Sequence, residues 1–266
     1  MNRVRETPAG GEATRVRGAA PAGARDPQSA ARAVREMFTA IAPRYDLLNH
    51  LLSANIDKLW GRRTARNFAP ILSRPNARVL DLCCGTGDMA FALHRQGPKA
   101  SITGADFSHA MLVHANAKNN LAARGSDASG RMVFCEADAL RLPYADASFD
   151  LVTTAFGFRN LANYEDGLRE IFRVLKTGAT LAILEFTEPP PGFAGDLYRW
   201  YCRKILPKIG GLLSGNTKAY KYLPASVARF FQPEELAALM RQVGFTHVEY
   251  QLWTFGSVAL HTATKS

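Results

Sequence analysis

Cysteine is scarce in this chain of 266 residues, and the four present, Cys83, Cys84, Cys135 and Cys202, fall in no C-x-x-C or zinc-like spacing. That argues against a disulfide-stapled scaffold and against any metal site, and it predicts free thiols in a reducing compartment. Long apolar runs are missing as well. No stretch approaches the roughly eighteen residues that cross a bilayer, and the first thirty lack the continuous apolar block that leads a secreted chain. A cytoplasmic protein, soluble or peripherally attached to a membrane, is the expectation. Acid is in short supply too, with 23 Asp and Glu against 33 Lys and Arg, for a formal charge of +10.

The basic excess is localised. Residues 1–35 hold seven arginines against Glu6, Glu12 and Asp26, and residues 192–229 hold seven Lys or Arg against Asp196 alone, so these segments carry +4 and +6 and the remainder balances. Such confinement points to an anionic surface, either nucleic acid or a layer of lipid headgroups, against the plainer reading of charge that only aids solubility.

Residues 1–30, rich in Ala, Gly, Pro and Arg, bury too little to offset the entropy of ordering and read as a disordered basic tail. A single folded domain is expected over 31–266. It opens with a helical cap at 31–70, where Val34, Met37, Phe38 and Ile41 share a face and Pro43 interrupts. Leu47, Leu48, Leu51 and Leu52 form a second apolar group, and a third helix runs from Asp57 to Phe68, ended by Pro70. Arg44, Tyr45, Asp46 and Asn49 are a polar set between these apolar faces, suited to a plain cap or to the wall of a pocket.

The stretch Arg78–Ala92, RVLDLCCGTGDMAFA, reads as a buried strand, a glycine turn and the start of a helix near Asp88. Gly85 and Gly87 allow a sharp turn and close approach of a ligand to the backbone. Strands near 101–105, 131–136, 149–155 and 178–186 then alternate with helices near 88–96, 109–123 and 164–175. That alternation predicts a parallel sheet covered on both faces, with the ligand at the carboxyl ends of its strands. After residues 187–232, which read as a basic insertion or lid, a helix at 233–243 precedes strands near 246–252 and 257–264. With no helix between them these must pair antiparallel or sit apart, and the expected layout is an α/β, Rossmann-like, seven-stranded, mostly parallel sheet closed by an antiparallel hairpin.

The turn also satisfies the dinucleotide fingerprint, so an NAD-dependent oxidoreductase competes. Asp81 before the glycines and Asp88 after them would repel a pyrophosphate, whereas a cation such as the sulfonium and ammonium of S-adenosylmethionine would welcome them. Asp106, at the end of the second strand, is placed to accept both ribose hydroxyls of an adenosine. Asp138 and Ala139, after the third strand, suit an adenine ring. Singly, each Asp equally suits a turn or a helix cap.

The segments VREMFTAIAPRYDLLNHLLS, LWGRR, VLDLCCGTGDMA, DALRLPYADASFD, FGFRNL, REIFRVLKTGATLAILEF, YKYLPASVARF and VALH together resemble the UbiE/MenG family of quinone C-methyltransferases over residues 31–264. The resemblance implies a class I methyltransferase fold. It also implies transfer of a methyl group from S-adenosylmethionine to a ring carbon of a polyprenylated quinol, in menaquinone or ubiquinone biosynthesis. It implies cofactor contacts at Thr86, Asp106, Asp138 and Ala139; a serine used by some members after the fourth strand is Ala155 here.

Such chemistry calls for a base or for a positive group that stabilises a phenolate. The candidates are Arg159 and Asn160 of FGFRN, with Tyr45 and Asp46 from the cap, Arg159 as phenolate stabiliser or water orienter because it stays protonated. His261 reads as packed rather than catalytic. Leu197, Tyr201, Ile205 and Ile209 at four-residue spacing, beside Arg199, Arg203, Lys204 and Lys208, have the make-up of a membrane-surface helix kinked at Pro207, or of a lid packed on the core. The expected partners are the quinol and an anionic membrane, with no nucleic acid, and a homodimer stays open. A nucleic-acid methyltransferase and a non-catalytic adenosine-binding scaffold are the rival readings.

Overall fold

The computed structural model describes residues 18–19, 21, 23–53, 55–123, 131–200 and 217–266. The cap comprises α1 (Pro27–Ile41), a single 3-10 turn at Ala42–Arg44, α2 (Tyr45–Leu52), α3 (Ile56–Asn67) and the short α4 (Ala69–Leu72). α1 starts earlier than the composition suggested. Asp26 accepts the Ser29 N–H at 2.8 Å while the Ser29 hydroxyl reaches back to the Asp26 backbone, a reciprocal cap that fixes the first turn at Pro27.

The chain is anchored upstream of that cap as well. The buried Ala19 donates its N–H to the Leu161 carbonyl at 2.7 Å, and a Cβ on Gly18 would lie 1.9 Å from the Ala162 carbonyl oxygen. The boundary expected at residue 30 is therefore too late. Residues 1–17 lie outside the described residues. Pro70, expected to end the third helix, instead sits in the first turn of α4, where its missing N–H costs nothing.

The sheet is built from β1 (Arg78–Leu82), β2 (Ser101–Asp106), β3 (Met132–Glu136), β4 (Phe149–Ala155), β5 (Leu175–Phe186), β6 (Phe245–Trp253) and β7 (Val258–Lys265). Their order is β3-β2-β1-β4-β5-β7-β6, parallel from β3 to β5, with β7 antiparallel to both β5 and β6. The expected terminal hairpin is thus present, and β7 slots between β5 and β6 at the sheet edge. On one face α5 (Asp88–Gln96) packs with α3 and α4 through Leu93, Trp60 and Leu72. On the other, α7 (Tyr164–Val174) and α10 (Pro233–Val243) bury Leu168, Ile171, Leu236 and Met240. The end of α1 and the 3-10 turn lie over α6 (His109–Ala123) through Ile41, Ala42 and Met111.

Between β5 and α10 lie α8 (Phe193–Trp200) and α9 (Thr217–Arg229), the latter carrying Pro224 inside it. The expected kinked helix over Tyr201, Ile205, Pro207 and Ile209, with Arg203, Lys204 and Lys208, lies outside the described residues, as do the side chains of Leu197, Leu48, Leu51 and Leu52. Among the described residues no helix is long and apolar enough to cross a membrane.

The topology fixes where a ligand goes. β1 has β2 on one side and β4 on the other, so the connections leave in opposite directions and open a crevice at their carboxyl ends. The two residues that follow these strands are both non-glycine in the left-handed region, Cys83 at φ 55° and Phe156 at φ 59°. Backbone strain of that kind persists only where its surroundings impose it. Here Gly157 presses on Cys83 so closely that a Cβ would come within 2.3 Å of the cysteine Cβ, which explains the glycine of FGFRN.

Candidate active site

A cavity of about 990 Å³ occupies this crevice and runs on under the cap. Its cofactor arm is acidic. Asp81 is completely buried at the end of β1; one carboxylate oxygen accepts from the Thr153 hydroxyl at 2.9 Å and the other has no partner. Burial, with smaller contributions from Asp106 and Asp88, pushes its carboxyl up to about 7. A buried oxygen without a donor is costly unless a ligand supplies one, and the ammonium of an amino acid moiety is such a donor.

Asp106, at the end of β2, takes the Gly85 and Ser108 N–H groups at 2.8 Å each, and its carboxyl too is raised by burial. It therefore holds the glycine turn in shape while facing the cavity. Gly85 itself, at φ 54°, has nothing closer than Tyr45 above it, leaving room for a ligand against bare backbone.

Gly87 does something different. It is buried at φ 89°, does not line the cavity, and a Cβ there would strike the Phe134 ring at 2.8 Å. Its role is to let the turn pack on β3 and start α5, not to touch a ligand. Asp138 and Ala139 both line the far end of the cavity. Asp138 is exposed, and one of its oxygens is used by the Leu140 N–H at 2.9 Å, so it is a turn residue that keeps free acceptor positions.

The cap closes over this arm through an ionic chain. The Thr86 hydroxyl donates to Asp46, and Lys118 of α6 bridges Asp46 and Asp88 at 2.8 Å each. Burial works against the lysine's charge, but the two carboxylates outweigh it and hold its pKa up. His50 lies 2.5 Å from Asp57 and 3.7 Å from Asp88. Asp46 is thus turned toward Thr86 and Lys118 and does not line the cavity, so it fastens the cap instead of facing an acceptor.

The second arm is aromatic. Phe156 and Phe186 pack 4.5 Å apart between ring centroids, with Trp60 5.6 Å and 6.0 Å from them. Where the arms meet stand Tyr45, Arg159 and Asn160. Burial pushes the Tyr45 hydroxyl up to about 12, so at neutral pH it is a phenol and a hydrogen-bond donor, not a base.

Arg159 is almost entirely buried. It reaches Glu185 through Nη1 at 2.6 Å, the Phe156 carbonyl, and the Ser226 hydroxyl of α9 through Nε at 3.3 Å. Glu185 also accepts the Arg159 backbone N–H at 3.2 Å, and the arginine Nη2 has no hydrogen bond to a described residue. The Asn160 side-chain oxygen accepts from Tyr222 of α9 at 3.0 Å, which fixes the amide so that its NH2 end is left over.

Glu185 and Tyr222 were not singled out from the sequence as site residues. Tyr222 lay in plain sight within YKYLP, but only its packing on FGFRN shows its use. His261 is packed as expected, bonded to the Pro233 carbonyl at 2.8 Å and pushed down to about 4 by burial. Ala155 lines the cavity, and its side chain has no polar atom to replace a serine hydroxyl.

S-adenosylmethionine fits these residues. Asp81 has an oxygen in want of a cationic donor, Gly85 leaves backbone bare, and Asp106 and Asp138 follow at successive strand ends. Fold and site define a class I, S-adenosylmethionine-dependent methyltransferase. Solved structures of this fold include a methyltransferase of Aquifex aeolicus, 17% identical over 76% of this chain and 89% of that one (TM-score 0.54). Another is phosphoethanolamine N-methyltransferase 2 of Haemonchus contortus with S-adenosylmethionine, 14% identical over 75% of this chain and 52% of that one (TM-score 0.53).

Within the class the chain belongs to the ubiE/COQ5 methyltransferase family, whose model matches residues 26–265. It is 50% identical to the demethylmenaquinone methyltransferase of Thermus thermophilus over 86% of this chain and all of that protein, and 48% identical to that of Deinococcus radiodurans over 90% and 95%. The ubiquinone/menaquinone biosynthesis C-methyltransferase UbiE of Geotalea daltonii is 42% identical over 87% and 96%.

Proposed function

We propose that the protein methylates a ring carbon of a polyprenylated quinol, with demethylmenaquinol as the favoured acceptor, at the inner face of a membrane. The observation that carries this reading is the meeting of an acidic arm and an aromatic arm at Arg159 in one cavity. When bound, held by Asp81, Asp106 and the bare backbone at Gly85, S-adenosylmethionine would supply an electrophilic methyl group. Everything else falls to the side chains.

The Trp60, Phe156 and Phe186 rings, inclined to one another by 35° to 84°, give an apolar wall for a quinol ring and the start of its prenyl chain. Arg159, held protonated by Glu185, and the Asn160 amide, oriented by Tyr222, offer donors to the acceptor oxygen. In a dry site a fixed positive group favours the phenolate over the phenol, which makes the ring carbon nucleophilic. Tyr45, kept neutral, adds a donor without competing as an anion. The phenolic proton passes to water, the ring carbon gains the methyl group, and that carbon then loses its own proton to water while the oxygen is reprotonated, so the aromatic quinol is restored with one net proton released.

Labelled S-adenosylmethionine offered with reduced demethylmenaquinone and with the methoxy-benzoquinol separately tests the reading. Transfer to the naphthoquinol is expected; no transfer to either acceptor would overturn it. Binding to anionic membrane and absence of affinity for nucleic acid belong to the same proposal. A homodimer, the remaining expectation, is read by sedimentation equilibrium.

A further inference from the structure

The mouth of the aromatic arm is bordered by a basic surface, to which Lys58 and Arg62 belong. Lys58, Arg62, Arg63 and Arg66 all lie exposed on one side of α3, and none is in an ion pair with a described residue. Asp57, the acid of that helix, points the other way into the bonds from His50 and Ser53. Leu59, 58% exposed, sits within the same basic face.

The β6–β7 turn stands against its edge. Trp60 donates to the Thr254 hydroxyl at 2.9 Å, and the Arg63 guanidinium lies 4.4 Å from the Trp253 ring. At the tip of that turn Phe255 is 80% exposed and held at φ 57°. The turn joins strands at the carboxyl end of β5, because Val258 pairs with Phe186. It therefore projects from the same end of the sheet as the cavity, whose lining includes Lys58, Arg62 and Thr254 as well as Asp81.

We infer that the α3 face and the Phe255 turn together seat the protein on an anionic lipid surface, with the mouth of the cavity against the headgroups. Cations flanking a protruding aromatic ring suit a charged interface with apolar material just beneath it. A second copy of the chain is a poor occupant, since two such faces would bring eight cations together with no acid between them. The inference rests on the reading of the acceptor as a lipid-borne quinol and adds to the expected role of residues 192–232 a docking face built from α3 and the β6–β7 turn.

The test is sedimentation of the whole protein with vesicles of phosphatidylcholine, with and without phosphatidylglycerol. Wild type is expected to bind only the anionic vesicles. Lys58→Gln with Arg66→Gln should weaken binding about fivefold for each charge removed. Phe255→Asn, chosen because Asn tolerates the left-handed turn, should weaken it by about tenfold. Lys99→Gln, at the other end of the sheet, should bind as wild type, and Phe255→Asn should still methylate a short-chain, water-soluble acceptor at the wild-type rate.

If wild type binds anionic vesicles and both sets of α3 and turn variants bind equally well, this face is wrong while the membrane reading stands. If wild type ignores anionic vesicles, both fall. If the variants instead lose retardation of tRNA in a gel shift that wild type produces, the face is a nucleic-acid surface and the inference is overturned.

Discussion

The two arms of the cavity are assembled in opposite ways. The cofactor arm hangs on consecutive strand ends: Asp81, Gly85, Asp106 and Asp138 all lie within 58 residues, each fixed by backbone bonds or by the sheet. The acceptor arm draws Tyr45 and Trp60 from the cap, Arg159 and Asn160 from the loop after β4, Glu185 from β5 and Tyr222 and Ser226 from α9. The first arm leaves a carboxylate unsatisfied for a ligand to complete, whereas the second has already satisfied most of its own charges. Binding energy for the cofactor is thus stored at one residue, while the acceptor site depends on a network that holds as a unit.

The largest test of that contrast is Glu185→Ala. It strands the buried Arg159 charge and should lower stability by about 3–5 kcal/mol, read by urea unfolding, with Arg159→Met in the same chain restoring much of the loss. Asp81→Asn should act in the other direction on the ligand-free protein. The Asp81 carboxyl titrates near 7 when folded and near 3.9 when unfolded. Its contribution is therefore fully present below about pH 4 and is lost as pH rises through 7. Removing the charge should raise stability at pH 8 by up to about 4 kcal/mol, with the gain vanishing toward pH 4. The same variant should bind S-adenosylhomocysteine roughly 10–100-fold more weakly by calorimetry, since a hydrogen bond to a charged group is lost.

A smaller effect is expected from Tyr222→Phe. Freeing the Asn160 amide costs one hydrogen bond, about 1 kcal/mol, so kcat should fall roughly fivefold with cofactor affinity unchanged. Weaker still is Lys118→Gln. Its partly exposed bridge between Asp46 and Asp88 should matter by about two- to threefold in cofactor affinity at low salt and fade as salt is added. Equal effects of Tyr222→Phe on both ligands would dissolve the distinction between the arms.

Legibility in the sequence follows the same division. Val79–Leu82, the alternation after it and the paired strands at the end have periodicities that translate directly into a sheet, and the acids at the strand ends could be counted off. In the acceptor arm Tyr45 stood out as part of a polar set between apolar faces, whereas Arg159 and Asn160 could be placed only through the family motifs. Nothing local distinguishes Glu185 in LAILEF from any strand-end acid, because its meaning comes from Arg159, 26 residues earlier. Gly87 looked like a ligand contact because a glycine against a ligand and a glycine under Phe134 leave the same letter. The basic face of α3 vanished into a neutral sum, since charges cancel in a total but not on a helix whose one acid points inward. The start of α1 was missed because Asp26 and Ser29 stand in a run of Ala, Gly, Pro and Arg that reads as coil.

The bond from Ala19 to the Leu161 carbonyl has a practical consequence. Leu161 follows Asn160 directly, so a segment whose composition reads as coil is stitched to the wall of the reaction chamber. An environment-sensitive fluorophore near residue 19 would make a reporter of acceptor occupancy, whereas the same dye near Lys265, where β7 ends beside the start of β5, would be a silent reference.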